Sequence, residues 1–287
     1  MRHEKKTLRF VKMEATGNDY IYFDCFDQYI ENPEAIAVRY SAPHYGIGSD
    51  GAILILPSKI ADAKMRIFNR DGSEAEMCGN GIRCVARYLY ESGRVRKEAM
   101  KIEIGSGIKS VSLEVFEGEV KSVTVDMGPA ILDPAQIPVK LEANENGSVV
   151  GRTAKVAGGT YVVTCVSMGN PHVVVFTDHL NDLDLDEIGP KFENDPLFPE
   201  KVNTEFVEVE DSGHIRMRVY ERGSGETWSC GTGACAAAVA SVLNGYCRKD
   251  QPITVTLKGG KLIVRYTDET VYMTGNAQVT FTGEITL

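Results

Sequence analysis

The chain has 287 residues, 43% of them hydrophobic and 25% charged, with 31 Lys and Arg against 40 Asp and Glu for a net charge of -9. This composition excludes a disordered or fibrous protein and argues against a nucleic-acid surface, which depends on clustered Lys and Arg. The length is near the limit for one core and predicts two domains.

In chain order, the opening "MRHEKKTLRFVK" carries charges without the apolar run a signal peptide needs. No segment approaches the roughly 20 apolar residues that span a bilayer, so a cytoplasmic protein without membrane partners is expected. Short β-type runs follow: "TLRFVKM", "YIYFD", "AILIL", "KMRIF", "VSLEVF", "SVTVDM", then "TYVVTCV", "HVVVF", "TEFVEVE", "HIRMRVY", "PITVTL", "KLIVRYT", "TVYMTG" and "QVTFTGEITL". Broken by Gly, Asn and Asp, they predict extensive antiparallel sheet. Helical patterns are fewer, at 33 to 41, 79 to 91, 184 to 192 and 231 to 244, which makes the class α+β rather than a regular βαβ repeat. The basic run "RVRKEAMK" at 94 to 101 reads as solvated surface after a helix end. Gly-Pro and then "LDPAQIP" interrupt the β pattern near residue 128 and predict a domain boundary there.

Two stretches repeat one arrangement. Asn18 in "TGNDYIYFD" stands sixty positions before Cys78 in "MCGNGIRC", and Asn170 in "MGNPHVVVF" stands sixty before Cys230 in "SCGTGACA". In each half a Gly-Asn precedes an apolar strand, and a later strand leads through a Gly-Ser turn into Cys-Gly-x-Gly and a helix. Two diverged copies of one unit are expected, with a site built from both cysteines in the cleft between domains.

Each of these cysteines lies where helix N–H groups lack intrahelical partners and the dipole favours an anion, a setting that raises the thiolate fraction. The glycines at 79, 81, 231 and 233 remove side chains that would block a ligand from the backbone, and a carboxylate fits on the N–H groups beside the sulfur. Cys25, Cys84, Cys165, Cys235 and Cys247 read instead as small buried hydrophobes. Seven cysteines at irregular spacing do not form a disulfide framework, although a redox pair of Cys78 with Cys230 stays open. There is no Cys-x-x-Cys, no His-x-x-x-His and no carboxylate cluster of metal-ligand spacing, and the Gly-rich turns lack the Lys and Ser/Thr of a phosphate loop. Inverting a carbon stereocentre needs a proton removed from one face and another delivered to the opposite face. One thiolate and one thiol provide both functions, with no cofactor required.

"DGSEAEMCGNGIRC", "GNPHVVVF", "VNTEFVEV" and "YERGSGETWSCGTGACA", with "GNDY" near the start and "GIGSDG" at 46 to 51, resemble the diaminopimelate epimerases over essentially the full chain. The resemblance implies a pyridoxal-independent enzyme interconverting LL- and meso-diaminopimelate, usually a homodimer. It implies two pseudo-symmetric α+β domains, each a curved, mostly antiparallel sheet around a central helix. Residues 1–128 would contribute Cys78 and take back a last strand at 277–287, and 129–276 would contribute Cys230. Carried onto this sequence, Cys78 and Cys230 match the base and acid pair. Gly79, Asn80, Gly231 and Thr232 match the cradle for the reacting carboxylate. Asn18, Asn69, Asn170, Asn203, Glu221 and Arg222 match substrate-holding residues, and His172 matches a support for proton transfer.

By residue type alone, the asparagines also suit turns, Glu221 and Arg222 a surface pair, and His172 a structural role. The chain departs from the family where "EATGND" replaces a Gly-rich "HGxGND", with Glu14 and Ala15 at the altered positions. It departs again at Gly51, where some members carry a substrate-touching Gln. A racemase of another amino acid on the same scaffold, or a binding or thiol-redox module, are the competing readings.

Overall fold

A computed structural model of the chain describes residues 7–287; the first six residues of the charged opening lie outside the described residues. Two compact units account for the chain, one running to Val125 and including Gly275–Leu287, the other Asp126–Thr274.

The first unit is formed by β1 (Thr7–Ala15), β2 (Asn18–Asp24), α1 (Pro33–Ser41), β3 (Gly51–Leu56), β4 (Ala63–Asn69), β5 (Glu74–Ala75), α2 (Gly79–Glu91), β6 (Ala99–Ile104), β7 (Gly107–Phe116) and most of β8 (Glu119–Gly128). Its sheet is mixed: β2 and β3 pair in parallel, as do β4 and β6, and the other neighbours are antiparallel. The second unit follows the same plan with β9 (Arg152–Val156), β10 (Gly159–Ser167), β11 (Pro171–Phe176), α3 (Leu185–Glu193), β12 (Asn203–Asp211), β13 (His214–Glu221), β14 (Gly225–Thr227), α4 (Gly231–Leu243), β15 (Ile253–Leu257), β16 (Gly260–Tyr266) and β17 (Val271–Gly275). Here the parallel pairs are β11 with β12 and β13 with β15, at the same steps of the order. The last strand, β18 (Gln278–Thr286), returns to pair antiparallel with β1. The class is therefore α+β, in two halves built alike.

The two long helices start alike and are buried for different reasons. α2 turns Ile82, Val85, Ala86 and Leu89 inward and leaves Glu91 in solvent, and it stops at Ser92–Gly93, where Gly93 takes a positive φ of 76°. α4, "GTGACAAAVASVL", is buried along most of its length and packs against β10, β11, β12, β13, β15 and β16. Small side chains let six strands of one sheet approach a single helix, and so the sheet wraps around it. On its other side β12 sends Phe206 into a cluster with Val173, Val175 and Phe192.

The helices match the sequence pattern, with α3 displaced by one residue and α4 one residue shorter, but some strands escaped it. β5 has two residues and β9 only five. β6 begins inside the basic run expected to be surface: Met100, Ile102 and Ile104 are buried, alternating with exposed Ala99 and Lys101 and half-buried Glu103. In the same run, Arg94 is bound to Asp24 at 2.9 Å and to Asp27, so that part of the run is fixed to the body of the unit.

Because Ala237 is fully buried in α4, Ala237→Leu should cost about 1–3 kcal/mol by overpacking. Thermal or urea unfolding measures this, and an unchanged midpoint would contradict the close approach of sheet to helix.

Candidate active site

In the first unit, Cys78 is the N-cap of α2, with extended backbone angles of φ -140° and ψ 108°. Its sulfur accepts the Gly81 N–H at 3.2 Å, taking one of the donors a helix start leaves unpaired. The thiol lies 3.3 Å from Asn18 Oδ1, to which it donates. Asn18 Nδ2 in turn donates to Asp50 Oδ2 at 2.7 Å, and the Asp19 N–H reaches the same oxygen at 3.2 Å. Burial pushes the Asp50 carboxyl up, opposed by those donors. Asp50 thus turns the Asn18 oxygen toward the sulfur.

A buried guanidinium ties this loop together. Arg83 is fully buried, with Nη1 3.3 Å from Gly79 O, Nη2 3.1 Å from Thr16 Oγ1 and Nε 3.1 Å from Asn276 O. Thr16 Oγ1 donates to Asn80 Oδ1 at 3.3 Å, which links the first loop to the second residue of α2. Where the family has its Gly-rich entry, Thr16 and Gly17 take positive φ of 52° and 79°, and Glu14 accepts the Gly17 N–H at 3.0 Å. The departure at Glu14 therefore supplies a cap for the turn. The departure at Gly51 has a steric cause: a Cβ there would lie 2.1 Å from Phe68 O.

The second unit repeats the cap. Cys230 precedes α4 at φ -125° and ψ 110°, and its sulfur accepts the Gly233 N–H at 3.4 Å. The surroundings differ. Glu221, at the end of β13, accepts a hydrogen bond from Thr227 Oγ1, and burial raises its carboxyl despite the donors from Thr227 and Cys230 and the charge of His172. Burial first, then the charges of Glu221 and Glu205, push the Cys230 thiol well above its ordinary range, against the Thr232 hydroxyl and the Gly233 N–H. Cys230 is consequently a protonated thiol at neutral pH. His172, fully buried, has Nδ1 2.7 Å from Glu205 Oε1 and Nε2 3.0 Å from Asn170 Oδ1.

Several residues singled out from sequence are engaged with the protein itself. Asn203 donates to Pro171 O at 2.9 Å and accepts the Arg222 N–H at 2.9 Å, so its amide joins three strand ends. Asn69 donates to Ser73 Oγ at 3.0 Å within the "NRDGS" turn. Arg222 is exposed, with Nη1 on Glu200 O at 2.9 Å. Gly81 and Gly233 also serve packing. A Cβ at Gly81 would meet Ile53 Cδ1 at 2.7 Å, and one at Gly233 would meet Glu205 Oε1 at 2.7 Å. All seven cysteines are free thiols; burial lifts Cys84 and Cys165 to about 12 and Cys25 to about 11, as suits packing groups. Sequence reasoning missed Arg83, Asp50 and Glu205. The available signal was a charged residue inside an apolar stretch, in "GIRCVA" and in "NTEFV". Among the described residues, no group of three or more His, Cys, Asp or Glu is placed to hold a metal ion.

A sequence model of the family described as diaminopimelate epimerase matches residues 10–132 and 164–280. Diaminopimelate epimerase of Desulfovibrio desulfuricans is 52% identical over 282 residues, covering 96% of this chain and 98% of that one. The enzyme of Acetivibrio thermocellus is 50% identical over 284 residues, covering 98% and 99%. Among solved structures, a hydroxyproline epimerase from Agrobacterium vitis is similar with a TM-score of 0.68 at 15% identity, over 99% of this chain and 93% of that one. A PhzF-family phenazine biosynthesis protein from Bacillus anthracis gives 0.66 at 19%, over 98% and 99%. At such identities the structures speak for the fold. The family model, together with relatives half-identical from end to end, makes this chain a member of the diaminopimelate epimerase family.

Proposed function

We propose that the chain interconverts LL- and meso-diaminopimelate, a step toward lysine and peptidoglycan precursors, with Cys78 and Cys230 as its two proton-transfer groups and no cofactor. The observation that carries this reading is the duplicated cap: two helices, each headed by a cysteine whose sulfur accepts the N–H three residues on. One thiol takes the α-proton and the other returns a proton to the opposite face. Protons balance and no electrons are transferred. As the α-proton leaves, charge builds on the reacting carboxylate, and the N–H groups of Gly79 and Asn80 and of Gly231 and Thr232 are the donors suited to it. Cys230, held protonated by burial and then by the carboxylates around it, suits the donor, and Cys78 is left as the base once the thiol proton it directs at Asn18 Oδ1 has gone. Arg222 and Glu221 suit a second carboxylate and an ammonium, which favours a substrate with two amino-acid centres.

Two further parts belong to this reading. Free thiols throughout fit a reducing cytoplasm, and no helix among the described residues is long and apolar enough to cross a membrane. Cell fractionation that found the protein outside the cytoplasm would reject that placement. A homodimer is supported by β18, which leaves Val279 42% and Phe281 45% exposed on one strand.

Reduced wild-type protein incubated with LL-diaminopimelate in deuterated water, without pyridoxal or metal, should form the meso isomer carrying deuterium at one α-carbon. Cys78→Ala and Cys230→Ala should each lower the rate of inversion by at least about 10²–10⁴-fold. A folded wild type that forms no meso isomer rejects this substrate. In sedimentation, Phe281→Asp should convert a dimer to a monomer, and an unaltered dimer would place the interface elsewhere.

A further inference from the structure

Behind Cys230 lies a chain of hydrogen bonds that the proton transfer itself does not account for. Glu205 is the third residue of β12 and fully buried; its Oε1 meets His172 Nδ1 at 2.7 Å, and its Oε2 is buried without a partner. From His172 Nε2 the path runs 3.0 Å to Asn170 Oδ1, from Asn170 Nδ2 3.3 Å to Thr232 Oγ1, and from Thr232 Oγ1 3.5 Å to Cys230 Sγ. The carboxylate also backs directly onto the first turn of α4. The point a Gly233 Cβ would occupy is 2.7 Å from Glu205 Oε1 and 3.2 Å from Cys230 Sγ.

We propose, on the two-thiol reading above, that Glu205 is a positioning residue for Cys230. It keeps a proton on His172 Nε2, and this fixes the Asn170 amide so that the Thr232 hydroxyl proton points at the sulfur. Glu205 and His172 share a proton between Oε1 and Nδ1. Both groups are fully buried, where a net charge is costly, so the pair holds one proton more than a carboxylate beside a neutral ring: one lies between Oε1 and Nδ1 and the other stays on Nε2. An Nε2–H requires the Asn170 oxygen, which turns the amide N–H toward Thr232 Oγ1. That hydroxyl, already accepting, has its proton left for Cys230, where it stabilises a thiolate when the thiol has given up its proton. Were the amide reversed, the Thr232 proton would be drawn to Asn170 Oδ1 and the sulfur would lose a donor.

Glu205 holds the second proton of the buried pair against Nδ1, whereas a Gln can present its oxygen to an Nδ1–H and leave Nε2 bare, so the order is no longer fixed. The titratable groups around the sulfur are Glu221 from β13 and Glu205 from β12, with His172 from β11 between Glu205 and Asn170. The Glu205–His172 pair is neutral overall in either proton placement, and so is a Gln with a neutral ring. Glu205→Gln therefore alters hydrogen-bond direction at the sulfur with little change in net charge.

Long-range proton–nitrogen spectra of the wild type labelled with ¹⁵N-histidine, with His172 identified by its loss in His172→Gln, should show Nε2 protonated from pH 7 to 9. A bare Nε2 overturns the proposal and requires no variant at position 205. Alkylation of Cys230 by iodoacetamide, followed at its own peptide in a Cys78→Ala background, reads the thiolate directly. Glu205→Gln should raise the alkylation midpoint by about one pH unit, a roughly tenfold slower rate at fixed pH. Thr232→Val should do the same, and the double variant should go no further. A folded Glu205→Gln protein alkylated like its parent, or additive shifts, would overturn it. Neither measurement involves turnover, so failure here is distinct from failure to epimerise diaminopimelate.

Discussion

A single contact, the helix N–H donated to a cysteine sulfur, organises both halves of this molecule. Gly81 gives it to Cys78 at 3.2 Å and Gly233 gives it to Cys230 at 3.4 Å. It requires an extended backbone at the cysteine, a helix that begins at the next residue, and a donor residue without a side chain. It also spends one helix donor on the sulfur at a helix start whose positive dipole end favours an anion. Burial of each helix inside its sheet protects that arrangement from screening by solvent and salt.

From this shared start the two copies diverge chemically. Cys78 is half-buried and donates a hydrogen bond to an asparagine oxygen, which Asp50 holds in place from behind. Cys230 is buried, and burial first, then the charges of Glu221 and Glu205, hold its proton on. A pair of titratable groups placed in unlike surroundings is the usual means of separating an acid from a base. Duplication supplies two equivalent positions, and the residues around each give its sulfur different partners.

The repeat was legible because its cues are local: Gly-Asn before an apolar strand, and Cys-Gly-x-Gly before a helical pattern, at equal offsets. The α2 and α4 starts follow from those cues alone. Glu205 was not legible. "NTEFVEVE" alternates charged with apolar residues, as a strand with one wet face would, yet Asn203–Val207 are all buried because α4 covers one side and the Phe206 cluster the other. Arg83 was hidden in the same way. An arginine in a helix is ordinarily at the surface, and this one is inside because the acceptors that hold it come from the first loop and from residue 276, far away in sequence. The second glycine of each motif was read as making room for a ligand, when the nearest atoms that need the space belong to Ile53 and Glu205. What sequence could not supply was long-range pairing.

The central claim is that each thiol serves one face of one carbon. The most direct test is exchange without inversion, followed by mass spectrometry and chiral separation in deuterated water with single-thiol variants. Cys230→Ala, which keeps Cys78, should wash deuterium into one diaminopimelate epimer and form none of the other, and Cys78→Ala should do so with the opposite epimer. Inversion by either folded variant, or exchange of both epimers by the same thiol, would contradict the account.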